Sequence, residues 1–161
     1  MRRIAVFPGS FDPFTIGHES IVKRALSLFD EIVIAIGVNT NKEGFFPLEE
    51  RKRWITDLFR ENPSVSVDTY QGLTIDYCKR KNARFLLRGL RTSSDFEYER
   101  AIAQMNKAMY PEIESIFILT DPEYTSVSSS IVRDIIRHGG DARQFLPGDR
   151  DQKNTIIQSR K

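Results

Sequence analysis

The sequence predicts an α/β fold: a mainly parallel five-stranded sheet with helices on both faces. Three observations carry that expectation. Apolar residues switch repeatedly between short β-rich runs and stretches of helical period, strand then helix, from Arg2 to His138. The run "EIVIAIGV" (Glu31–Val38) is nearly continuous in apolar residues, as a parallel strand covered on both faces is. The chain has 161 residues, 40% hydrophobic and 29% charged, which suits one domain with a real core.

Taken in order, "RRIAVF" (Arg2–Phe7) reads as the first strand. His18, Ile21, Val22, Ala25, Leu26 and Phe29 then fall on one face of a helix that packs on a sheet, and Glu31–Val38 returns as a strand, completing a βαβ unit. A helix over Leu48–Arg60 follows, in which Trp54, Ile55, Leu58 and Phe59 read as core. Next come a strand at Val65–Thr69, a helix at Thr74–Lys81, a strand at Arg84–Arg88, a longer helix at Ser93–Tyr110, a strand at Ser115–Thr120 and a helix at Ser129–His138. Tyr98, Ile102, Met105 and Met109 form a helical stripe that reads as core or subunit interface. His138, before Gly139-Gly140, reads as a helix C-terminal residue that complements the dipole. Beyond Leu146-Pro147-Gly148, residues 148–161 read as a surface helix that frays at its basic end. No repeat, low-complexity tract or linker divides the chain, so one Rossmann-like domain of dinucleotide-binding type is expected over 1–161.

Composition excludes several classes. Lys and Arg number 24 against 22 Asp and Glu, and a net charge of +2 with no basic stripe interleaved with aromatics does not fit a nucleic-acid-coating protein. The apolar run after Met1-Arg2-Arg3 is too short for a signal peptide, and no stretch approaches a membrane span, so a cytoplasmic protein is expected. Cys78 is the only cysteine, which rules out an intrachain disulfide and a cysteine metal site; it reads as a space-filling core residue.

In a doubly wound sheet, ligands bind beyond the carboxyl ends of the strands, where loops feed helix N-termini. "AVFPGSFDPFTIGHESIVKRAL" (Ala5–Leu26) is such a crossing. Gly9 and Gly17 allow close backbone approach, Ser10 and Thr15 offer hydroxyls, and the helix start favours an anion, with phosphate the natural choice. There is no G-x-G-x-x-G after the first strand and no G-x-x-x-x-G-K-[ST], so a dehydrogenase or P-loop reading fails. "SVSSSIVRDII" puts Ser128, Ser129 and Ser130 at a second helix start; capping accounts for one of them. In "LLRGLRTSSDFEYE", Arg88 and Arg91 flank Gly89 at a strand end, and two forked guanidinium groups suit a polyphosphate; the plain alternative is surface pairing with Asp95 or Glu97. Lys42, in the loop "NTNKEGFF", is weak alone. All four clusters follow strands and are expected to converge on one sheet edge.

"PGSFDPFTIGH", "LLRGLRTSSDFEYE" and "SVSSSIVRDI" together resemble the bacterial phosphopantetheine adenylyltransferase family of the nucleotidyltransferase superfamily, from about Arg3 to Pro147. T-x-G-H (Thr15–His18) replaces the superfamily's usual H-x-G-H, as is common in this family. The resemblance implies transfer of AMP from ATP to 4′-phosphopantetheine, giving dephospho-CoA and pyrophosphate, with Mg2+ bound through the ATP phosphates and no metal held by the protein. It places Ser10, Phe11 and His18, then Gly89, Leu90, Arg91 and Glu99, and the run Tyr124, Thr125, Ser126, Val127, Ser128, Ser129 and Ser130, with ATP. Ser10, Lys42, Thr74 and Arg88 fall at acceptor positions, and His18, Lys42 and Arg91 at catalytic ones. A homohexamer inhibited by CoA at the active site is also implied. Ser10 stands where the family often has Thr, Tyr124 where it has Trp, and Val127 where it has Ile. Thr74 replaces a longer apolar residue, so its contact is expected through the backbone.

The acceptor on this reading is already a phosphate nucleophile, and no general base is needed. Catalysis is then positioning and charge stabilisation by His18, Lys42, Arg91 and helix N–H groups, each donor contributing roughly 3–4 kcal/mol. The rivals are a nicotinamide-mononucleotide adenylyltransferase or a cytidylyltransferase, which the arginine and serine clusters disfavour. A non-catalytic nucleotide sensor of the same fold would lack His18 or Lys42, and both are present.

Overall fold

A computed structural model describes all residues, Met1–Lys161. Five strands, β1 (Ile4–Gly9), β2 (Glu31–Gly37), β3 (Val65–Tyr70), β4 (Phe85–Leu90) and β5 (Glu114–Leu119), form one sheet in the order β3-β2-β1-β4-β5. Every pairing is parallel. The helices are α1 (Ile16–Ala25), α2 (Leu48–Leu58), α3 (Thr74–Arg80), α4 (Ser93–Met109), α5 (Ser129–Arg137) and α6 (Arg150–Gln158).

Because side chains alternate along a strand, the sheet builds two cores. Ala5, Phe7, Ile32, Ile34 and Ile36 point to one face and pack with Ile21, Val22 and Ala25 of α1 and Ile55 of α2. Val6, Val33, Ala35 and Leu86 point to the other and pack with Ile75, Tyr77 and Cys78 of α3. Burial raises the Cys78 thiol to about 11, which leaves it an inert space filler. A third, smaller core joins Phe46, Val132, Ala142, Leu146 and Ile156, and so ties α5 and α6 to the loop before α2.

Three expectations need correction. The first strand starts at Ile4, two residues later than expected, and continues through Pro8 to Gly9, so the loop that follows it is shorter than the sequence pattern implied. The α1 stripe ends at Ala25, and Phe29 is buried from the following turn rather than from the helix. Trp54 is half-buried on Phe46, ring centroids 5.1 Å apart, with its indole N–H unpartnered, while Ile55 and Phe59 occupy the main core. The stripe on α4, for its part, faces outward: Tyr98 is 70% and Met105 64% exposed. No helix is long and apolar enough to cross a membrane.

Candidate active site

In the strand order, chain direction reverses its winding between β1 and β4, and a crevice opens where their carboxyl ends part. A cavity of about 580 Å3 lies there. It is lined by Phe7–Phe11 of β1 and its loop, Gly17, His18 and Ile21 of α1, Arg88, Gly89 and Arg91 around the end of β4, Ser94, Asp95, Tyr98 and Glu99 of α4, and Tyr124, Val127–Ser130 and Arg133 around the start of α5. Close packing brings these parts together: a Cβ on Gly89 would lie 3.2 Å from Ile21 Cγ1, so the glycine lets α1 close against β4.

His18 is the third residue of α1 and completes a capping box. Its backbone N–H donates to Thr15 Oγ1 at 3.4 Å, and the Thr15 N–H donates to His18 Nδ1 at 3.0 Å. That second bond decides the tautomer. A ring nitrogen that accepts carries no proton, so the neutral imidazole bears its hydrogen on Nε2. Phe11, Phe14 and Phe7 surround the ring at centroid distances of 5.1, 5.2 and 6.2 Å. Burial among them, then the charges of Arg91 and Arg88, lowers the imidazole to about 4. At neutral pH, His18 is an uncharged donor held by its own helix cap.

The arginines are less free than the sequence implied. Arg88 donates from Nε and Nη2 to the two Glu99 oxygens at 2.9 and 2.6 Å, and from Nη1 to the Pro8 carbonyl at 2.9 Å. Three of its five N–H donors are thus used within the protein, and two remain. Arg91 is exposed and only loosely held, its Nε 3.4 Å from Asp95. Each of the three serines is engaged within the protein. Ser128 caps α5 by accepting from the Ile131 N–H, Ser129 donates to the Pro13 carbonyl at 2.8 Å, and Ser130 accepts from Arg133. The excess over capping is therefore structural as well as available to a ligand.

Ser10, Phe11, His18, Gly89, Arg91, Glu99, Tyr124, Val127, Ser128, Ser129 and Ser130 all line this cavity, as does Arg88. Leu90 is buried behind it, and Thr125 and Ser126 lie beside the lining rather than in it. Thr74 borders a second cavity of about 260 Å3, which shares Pro8, Arg88 and Glu99 with the first and is walled by Leu73, Ile102 and Met109. Its hydroxyl lies 2.8 Å from the Tyr70 hydroxyl. Lys42 is exposed on the loop between β2 and α2 and outside the lining.

Sequence reading missed Phe7, Phe14, Ser94 and Arg133; it gave Asp95 only as a surface partner for the arginines, a pairing that holds for Arg91, and it read Tyr98, which lines the cleft, as core or interface. The phenylalanines were visible as the repeated Phe of "FPGSFDPF", and Arg133 as the residue one helical turn after Ser129. No group of three or more His, Cys, Asp and Glu side chains is placed to hold a metal.

A cytidylyltransferase-like family model matches residues 6–135. The phosphopantetheine adenylyltransferase of Flavobacterium johnsoniae is 57% identical over 145 residues, 90% of this chain and 95% of the relative. That of Phocaeicola vulgatus is 54% identical over 147 residues, covering 91% and 96%. This chain belongs to the phosphopantetheine adenylyltransferase family. Among solved structures, a bifunctional NMN adenylyltransferase/ADP ribose pyrophosphatase from Francisella tularensis, in complex with AMP and a manganese ion, matches with a TM-score of 0.74 at 18% identity, over 99% of this chain and 49% of that one. It shares the fold. In this phosphopantetheine adenylyltransferase family member, the crevice between β1 and β4 lies at the strand-order switch, where open α/β sheets bind ligands.

Proposed function

We propose that this chain transfers the adenylyl group of ATP to 4′-phosphopantetheine, releasing pyrophosphate and giving dephospho-CoA, reversibly, in the penultimate step of coenzyme A synthesis. The observation that carries the reading is the identity of more than half, along nine tenths of both chains, to phosphopantetheine adenylyltransferases. The cleft supports it: two helix N-termini, those of α1 and α5, and three arginines border one cavity, an arrangement suited to a triphosphate.

An acceptor phosphate oxygen attacks the α-phosphorus in line with departing pyrophosphate. The new phosphorus–oxygen bond forms as the bond to the bridging oxygen breaks, and the electron pair leaves with pyrophosphate. No side chain needs to remove a proton from the acceptor. His18 Nε2–H donates to an α-phosphoryl oxygen, and because the ring is neutral it stays a donor without exchanging its proton. Arg91 and the α5 start hold the β- and γ-phosphates, Glu99 fixes the Arg88 fork, and the two spare Arg88 donors face the acceptor. The apolar second cavity beside Thr74 accommodates the pantetheine arm. Lys42 approaches from the β2–α2 loop. The acidic groups Asp95 and Glu99 are paired with arginines, so a Mg2+ ion would be carried by the triphosphate rather than by these side chains and would supply neutralisation of phosphate charge.

The reading extends to a cytoplasmic homohexamer inhibited by CoA, which shares the acceptor's pantetheine arm. An assay of pyrophosphate release with ATP or CTP against a panel of phosphorylated acceptors tests it. Release is expected only with ATP and 4′-phosphopantetheine together; equal turnover with nicotinamide mononucleotide would refute the assignment.

A further inference from the structure

Behind the cleft, two charged side chains are buried together. Asp12 is 7% and Arg51 8% exposed, with Arg51 Nε 4.0 Å from Asp12 Oδ1. Both are committed mainly to backbone. Asp12 accepts the N–H of Phe45 on Oδ2 at 2.7 Å and that of Phe46 on Oδ1 at 2.8 Å. Arg51 donates from Nε to the Phe46 carbonyl at 3.0 Å and from Nη1 to the Ser10 carbonyl at 2.6 Å. Gly44 fits against the same knot: a Cβ there would stand 2.8 Å from Arg51 Nη2 and 2.9 Å from the Phe46 carbonyl. Arg133 extends the knot to α5 through the Asp12 carbonyl at 2.7 Å.

The pair therefore cross-links two loops. One carries Ser10, whose carbonyl Arg51 holds directly. The other carries Lys42, three residues before Phe45. A buried ion pair is an inefficient source of stability, because desolvating both charges offsets most of their attraction. What this one supplies is geometry, since a planar fork bonded to two carbonyls on different loops fixes both at once.

We infer that Arg51 is a positioning residue for adenylyl transfer, acting through Asp12 and the Phe45–Phe46 backbone to set where Lys42 stands relative to the reacting phosphate. The inference rests on the reading of Lys42 as a donor. Arg51 itself does not line the cleft and touches no substrate.

The test is a kinetic double-mutant cycle with ATP and 4′-phosphopantetheine on wild type, Arg51→Lys, Lys42→Ala and the double variant. Lysine keeps the charge beside Asp12 but lacks the fork. Arg51→Lys is expected to lower kcat about tenfold or more with the KM for ATP within about threefold, and to cost less than about twofold in kcat when Lys42 is already alanine. Gly44→Ala keeps every charge yet crowds Arg51 Nη2 and the Phe46 carbonyl, and should reproduce the kcat loss even where Arg51→Lys folds poorly. A merely structural role would reduce the active fraction equally in both backgrounds, so equal losses of kcat overturn the inference. Unchanged kcat in both Arg51→Lys and Gly44→Ala overturns it as well. Wild-type kcat in Lys42→Ala overturns the reading of Lys42 first, and the inference with it, and that failure is told apart by the single variant alone.

Discussion

At His18 a structural and a chemical role meet in one ring, and a substitution can separate them. Alanine at this position would remove both the capping bond to the Thr15 N–H and the Nε2 donor. Glutamine is the ordinary third residue of a capping box, so His18→Gln keeps the cap and loses the imidazole. Its stability should stay within about 0.5 kcal/mol of wild type, whereas His18→Ala should lose about 1 kcal/mol. Both should lose on the order of a hundredfold in turnover with little change in ATP affinity, because the lost bond strengthens as charge develops. A folded His18→Gln retaining more than about a third of normal turnover would remove the ring from the chemistry. The low pKa gives a second, independent signature. Unfolded histidine titrates near its ordinary 6.5 and the folded ring at about 4, so the unfolded chain binds more protons between those values. His18's contribution is therefore complete above pH 6.5 and is lost as pH falls toward 4. Asp30 and Asp141, held low by Arg3 and Arg143 at about 2, titrate below that window. Denaturant melts across pH 4–6.5 should show wild type weakening relative to His18→Gln, and parallel curves would contradict the neutral ring enclosed by the phenylalanines.

At the scale of elements, the packing of α1 on β4 depends on Gly89. A Cβ there would press on Ile21 Cγ1 at 3.2 Å and Cδ1 at 3.4 Å, inside a core where Ile21 is buried. Alanine reduces the freedom of the unfolded chain, which alone favours it by about 0.5–1 kcal/mol. Overpacking costs about 1–3 kcal/mol and should prevail, so Gly89→Ala is expected to lower Tm by a few degrees and to lower turnover as the α1 start moves from β4. A Tm at or above wild type would mean that Ile21 yields freely. The same elements show what a sequence can reveal. All five strands and all six helices were legible, because periodicity of two or of 3.6 is written in consecutive residues, and a serine cap at the start of α5 was legible beside them, though the structure was needed to name Ser128 as that cap. Partnerships across the chain were not. Arg88 with Glu99 sits eleven residues apart, Arg51 with the Ser10 carbonyl 41, and Arg133 with the Asp12 carbonyl 121. Those bonds follow from the strand order, and the apolar pattern that places each strand leaves that order open.

For the whole molecule, the outward stripe of α4 is the feature the monomer does not account for. Tyr98, Ile102, Met105 and Met109 recur at helical spacing, and all are exposed. Single exposed apolar residues are ordinary, whereas an aligned row of four on one helix suits a surface that docks another protein. The expectation of core is overturned, since the only burials on α4 are polar, Glu99 and Asn106, and the subunit interface stands as the expectation that the assembly experiment decides. A second copy of the chain is the partner that the expected homohexamer requires. Tyr98 lines the cleft and Ile102 and Met109 line the second cavity, so they are poor sites for a clean test. Met105 lines neither and is 64% exposed, so Met105→Glu should leave the folded monomer's stability within about 0.5 kcal/mol. Placed in an apolar interface, the same carboxylate would be desolvated without a partner, which disfavours association strongly. Light scattering across a dilution series should give a mass near six chains for wild type and a smaller species for Met105→Glu. A monomeric wild type, or a variant that keeps the full assembly, would place the subunit contact elsewhere than on α4.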